Sequence, residues 1–165
     1  MFKINDYVIY NAMGVYKIVD ICSEQDIITG AETKYYVLKP VYSNNLTIKT
    51  PVNNKKVLMR KVLSKEEVLS LIESMPNEET VWIDNDKLRN EKFKAALKTG
   101  DCVKWIKLIK SIYKKKQEKE AIGKKLLKAD EEIMKTAEKN LYEEFAVALN
   151  ISPEQVVSYI KSCVS

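Results

Sequence analysis

The chain has no histidine among its 165 residues. That removes the commonest general base, the commonest metal ligand and every Ser-His or Cys-His nucleophile pair. Glycine is nearly as scarce, at four, and neither GxxxxGK[ST] nor GxGxxG occurs, so no loop is built to cradle phosphate. The three cysteines, Cys22, Cys102 and Cys163, are odd in number and far apart, and no pair has metal-ligand spacing. They read as reduced, partly buried side chains. No apolar run approaches the roughly 20 residues that span a bilayer. The first residues, MFKINDYVIYNAMG, do not follow the order of a signal peptide. Carboxylates and lysines remain, but nothing singles any of them out for catalysis. These absences point to a cytoplasmic binding protein with no cofactor and no membrane contact, not to an enzyme.

What is present is charge, unevenly spread. Hydrophobic residues make up 45% and charged ones 31%, the balance of a folded chain. The length suits one domain or two small ones. Net charge is +5, yet residues 101–128 alone carry 10 basic and 3 acidic groups, an excess of 7. Residues 129–165 carry 3 basic and 7 acidic groups, so the segment after it is acidic.

The hydrophobic period changes along the chain. Tyr7–Tyr10, Val15–Ile21, Lys34–Lys39 and Leu46–Thr50 are short β-branched and aromatic runs separated by turn residues, with Pro51 closing the last. Four or five such strands predict a small, strongly bent antiparallel barrel over residues 1–58. From residue 62 to 165 the period becomes helical, and about five helices are expected as a bundle. Ser64-Lys65-Glu66-Glu67 is a capping box, followed by Val68, Leu71 and Ile72 on one face of a helix that ends near Met75-Pro76. A second helix is predicted over about residues 87–98, ended by Thr99-Gly100. Asp101 caps a third, Asp130 is expected to cap a fourth, and Ser152-Pro153-Glu154-Gln155 opens a short last one. The fold class is therefore α+β.

The third helix carries the most informative pattern. At 100° per residue, Lys104, Lys107, Lys110, Lys114 and Lys115 fall within an arc of about 140°. Trp105, Leu108, Ile109, Ile112 and Tyr113 fill the other side, and Trp105 reads as core. Glu118 and Glu120 come too late in the sequence to neutralise this face. A solvated face on a core-packed helix is one reading. Like charges three and four apart are mildly repulsive, however, and nucleic acid phosphate offsets that without needing apolar contact. A membrane would need the apolar side that the bundle takes. Trp82, set among Glu78, Glu79, Asp84, Asn85 and Asp86, is either folded back over the bundle or an exposed aromatic that meets bases. Lys87 and Arg89 follow it and support the second reading.

Several segments in order, FKINDYVIYNAMGVYKIVDI, YYVLKP, LTIKTPV, KFKAALKTGD and EEIMKTAEKNLYEEFA, resemble the CarD/CdnL family of bacterial RNA polymerase-binding regulators over nearly the full length. The resemblance implies that the N-terminal barrel is Tudor-like, shared with the transcription-repair coupling factor, and docks on the polymerase β subunit. The strand Leu46–Pro51 matches the docking strand, which assigns Leu46, Ile48, Lys49 and Pro51 to the contact. Lys49 stands where many members carry arginine, keeping the charge but losing the planar fork. The resemblance also implies that the helical domain holds promoter DNA at the upstream edge of the bubble and stabilises the open complex, with a tryptophan wedged into the minor groove. Aligned without gaps on Thr99-Gly100-Asp101, that tryptophan position falls on Asp86; a longer loop that still brings Trp82 to the groove is the expectation. The DNA-binding set is then Trp82, Lys87, Arg89, Lys104, Lys107, Lys110, Lys114 and Lys115, in a monomeric transcription factor that grips DNA with little sequence preference. The alternative is an interaction adaptor that meets polymerase or another acidic partner and never touches DNA.

Overall fold

Alternation of inward and outward residues organises the first part of the chain. In the computed structural model, which describes residues 1–44 and 46–164, residues Met1–Val62 and Leu63–Ser165 are separate compact units. In the first, strands β1 (Tyr7–Tyr10), β2 (Val15–Gln25), β3 (Glu32–Pro40), β4 (Ile48–Pro51) and β5 (Met59–Lys61) form one antiparallel sheet ordered β4-β3-β2-β1-β5. Val8, Tyr16, Ile18, Tyr36 and Leu38 face the same side and make its core. The pairing of β2 with β3 shifts register between Ile18 and Asp20, leaving Val19 as a bulge that bends the strand. Ile48 from one edge and Met59 from the other pack on the same apolar cluster. The sheet therefore curls over its own core, the wall of the expected Tudor-like domain.

Two boundaries differ from expectation. β5 pairs with β1 through Met59↔Tyr10 and extends the sheet unit past residue 58. β4 begins at Ile48, so Leu46 lies outside the ladder and is 88% exposed.

The second unit holds helices α1 (Lys65–Ser74), α2 (Asp86–Lys98), α3 (Cys102–Ala121), α4 (Lys128–Leu149) and α5 (Pro153–Val164), with one 3-10 turn at Met75–Asn77. The capping box at Ser64 and Glu67 forms in both directions. Asp101 accepts from the Val103 amide as the cap of α3, and Pro153 opens α5. Asp130, expected as the cap of α4, is instead inside its first turn and buried. Phe93, Leu108, Ile112, Ile133, Met134 and Ala137 form a core where α2, α3 and α4 meet. Trp105 is fully buried and donates its indole N–H to the Leu97 carbonyl at 3.1 Å. Among the described residues, no helix is long and apolar enough to cross a membrane.

Ile112→Ala is expected to cost about 3 kcal/mol in denaturant unfolding, because its site is enclosed and cannot collapse fully. Burial raises the Glu143 pKa, against a smaller opposing pull from Lys139. A carboxyl whose pKa is higher in the folded state loses stability as pH rises above the ordinary carboxylate range. Glu143→Gln should thus be more stable than wild type at pH 8, by up to about 1 kcal/mol, with the difference gone below about pH 4. Melting curves across pH check this.

Candidate nucleic-acid interface and docking edge

The lysine face of α3 is not bare, because the chain between α1 and α2 runs across it. A helix C-terminus leaves carbonyls without partners and a partial negative charge. Lys110 reaches the turn that follows α1: its Nζ donates to the Met75 carbonyl at 2.8 Å, that of Glu78 at 2.7 Å and that of Pro76 at 3.4 Å. Ser111, in the middle of the face, is buried; its hydroxyl donates to the Lys107 carbonyl at 2.6 Å and accepts from the Val81 amide at 2.9 Å. Lys107 lies 3.7 Å from the Glu78 carboxylate. Lys115 lies 5.5 Å over the Trp82 ring and 3.7 Å from Glu118. Two expectations are corrected here. Lys110, expected to face outward with the other lysines, is instead engaged by the carbonyls that follow α1, and Glu118 does reach the basic face.

Arg89 is also corrected. It is 2% exposed, and its Nε and Nη2 bind the two Asp130 oxygens at 2.9 and 2.7 Å. Its Nη1 donates to the Ile83 carbonyl at 2.9 Å and lies 2.9 Å from Asp86. Hydrogen bonding to Asp130 raises the guanidinium pKa above its ordinary value, more than burial lowers it. The charge is answered inside the fold, and at 2% exposure the guanidinium does not face solvent. The guanidinium carbon stacks 4.4 Å from the Trp82 ring, whose edge-to-face partner is Phe93 at 6.1 Å. Trp82 is consequently half-buried and laid on the bundle core, which matches the folded-back reading and not the freely exposed one. The signal that sequence reading missed is Asp130: read as a helix cap, it is the carboxylate that draws Arg89, and Trp82 with it, inward.

The structure brings together a smaller site than the sequence suggested. Lys104 and Lys114 are exposed, and among the described residues neither makes an ion pair. Lys114 and Lys115 line a hollow of about 180 Å³ together with Trp82, Val81 and Ser111. Lys87 is exposed in the first turn of α2. A rigid aromatic ring beside ammonium groups suits a phosphate with a sugar or base next to it.

In the sheet unit, β4 is an edge strand. Its alternation turns Thr50 inward and Ile48 towards the core, leaving Lys49 and Pro51 exposed. Lys49 pairs with Glu24, whose hydrogen bond and charge raise the lysine pKa. Of the four residues expected to dock, Lys49 and Pro51 share the exposed side, Ile48 helps hold the strand, and Leu46 stands just before it.

Residues 2–63 match the family model described as the CarD-like/TRCF RID domain, and residues 67–161 match that of the CarD C-terminal domain. No curated protein matches the chain. The two matched domains in this order define an RNA polymerase-interacting transcription regulator. The chain belongs to the CarD family, which is non-catalytic.

Removing one partner of the buried pair leaves an uncompensated charge. Asp130→Ala is expected to lower unfolding stability by about 3–5 kcal/mol, whereas Arg89→Met with Asp130→Leu should recover most of that loss. Chemical denaturation of the single and double variants measures both.

Proposed function

We propose that the sheet domain docks on the polymerase β subunit through the open edge of β4, and that the helical domain holds promoter DNA at the upstream edge of the bubble. The supporting observation is the unanswered ammonium group of Lys114 beside the clamped Trp82, with a second, Lys104, further towards the start of α3. Lys87, Lys107 and Lys115 extend that surface, Lys107 and Lys115 more weakly because carboxylates lie near them. Contacts of this kind read phosphate and groove shape, not sequence. Trp82 acts in place: its stack on Arg89 holds the ring and Lys115 in register with the backbone of the DNA.

Regulation then follows from differential affinity. A protein that binds open and closed promoter DNA equally shifts nothing; one that fits the opened edge better lengthens the life of the open complex. With so few free cations, affinity for DNA alone is low, and tethering through the polymerase supplies the effective concentration that makes it count.

A second reading, an adaptor whose basic surface meets an acidic protein, draws on the same self-satisfied lysine face. DNA binding separates the two. Lys104→Ala with Lys114→Ala should weaken binding to fork-junction DNA uniformly across sequences and reduce the slope of log K against log salt by about 1–2. In transcription assays the double variant and Trp82→Ala should both shorten the open-complex lifetime, while Trp82→Phe, which keeps a stacking ring, loses less. Unchanged lifetimes in all three would remove the DNA-holding role and leave the adaptor.

A further inference from the structure

Helix α5 leaves much of its apolar side unpacked. Val156 is fully buried, but Ile160, one turn on, is only half-buried, and Val157 is 38% exposed. These two residues, with Ile106 and Ile109 of α3 and Leu141 and Tyr142 of α4, line an apolar hollow of about 190 Å³. Close-packed interiors hold few voids larger than a water molecule. This one exceeds the roughly 150 Å³ of an apolar cavity that stays dry and takes up benzene. Three polar side chains reach its wall. Lys110 is already committed, its Nζ donating to the Met75 and Glu78 carbonyls at 2.8 and 2.7 Å, so it offers the hollow its methylene stem. The Tyr142 hydroxyl makes no hydrogen bond among the described residues. Burial, with the nearby Glu138 charge adding, pushes its pKa up to about 12, and that carboxylate keeps other anions off this side. Lys161, beside Ile160 on α5, is exposed and makes no ion pair among the described residues.

We propose that this hollow binds one medium-chain fatty acid, with the acyl chain among the isoleucines and the carboxylate on the Lys161 ammonium. Size and charge identify the occupant. Scaled from benzene in the smaller cavity, the volume takes a chain of about eight carbons. An apolar wall with one unpaired cation at its rim suits a ligand whose only polar group is a terminal anion. A nucleotide or a sugar would bury hydroxyls or phosphates there without partners, which is costly. Met75 and Lys110 complete the wall, so a bound chain rests against the contact that pins the segment leading to Trp82.

Isothermal titration calorimetry of the full-length chain with hexanoate, octanoate, decanoate and octanol tests this. Octanoate should bind at one site, tighter than hexanoate by about fourfold for each added carbon. Decanoate, whose chain outruns the hollow, should gain little more. Ile109→Trp and, as a second filling variant, Ile160→Phe should lose octanoate binding, with melting curves to show that each is folded. Lys161→Glu should weaken octanoate about fivefold and leave octanol unchanged. No saturable octanoate binding to wild type, or binding that survives in a folded filling variant, overturns the site. Octanoate affinity unchanged in Lys161→Glu overturns the fatty acid as its ligand. Flotation with phosphatidylglycerol vesicles and sedimentation velocity cover the other occupants: vesicle binding or a dimer that the filling variants lose, with no octanoate binding to wild type, also overturns the proposal.

Discussion

The helical domain depends on one buried ion pair. Asp130 in the first turn of α4 takes both ends of the Arg89 fork, and the remaining donors hold Ile83 and Asp86. That single guanidinium fixes α2 against α4, ends the loop before α2 and stacks on Trp82. A buried pair of this kind adds little net stability compared with a well-packed apolar substitute, because desolvation offsets most of the attraction. What it supplies here is position. An apolar replacement would pack, but it would give no donor to the Ile83 carbonyl and no cation for the indole face.

The same economy of charge governs α3. Five lysines on one arc repel one another, and the fold relieves the repulsion in part from within. The carbonyls at the end of α1 take Lys110, Glu78 and Glu118 approach Lys107 and Lys115, and Trp82 offers Lys115 its ring. Two lysines stay unanswered. Under the proposed function, a surface with most of its charge satisfied internally would hold free DNA only weakly, and tethering through polymerase would make up the difference. Residual charge and not total charge determines what the face can bind.

The strands and helices were largely legible because they rest on local signals. The capping box at Ser64, the cap at Asp101 and the proline opening α5 each act within a few residues, and all formed where the pattern placed them. The sheet core followed from alternation in β1 to β3. Misreadings came where a distant partner decided the outcome. Arg89 and Asp130 are 41 residues apart, so each was assigned a local role, phosphate ligand and helix cap. Lys110 looked like its neighbours until the end of α1 came to rest on it. Trp82 sits in a polar stretch, which argued for exposure, but the ring's neighbours in space are Arg89, Phe93 and Lys115 and not the acids beside it in sequence.

The central claim is that the free end of the lysine face touches promoter DNA within the polymerase complex. Replacing Lys114 by a photo-crosslinking residue and irradiating polymerase–promoter complexes tests it directly. The account predicts crosslinks to DNA at the upstream edge of the bubble, appearing only when polymerase is present. Crosslinks confined to polymerase subunits, with none to DNA, would contradict it.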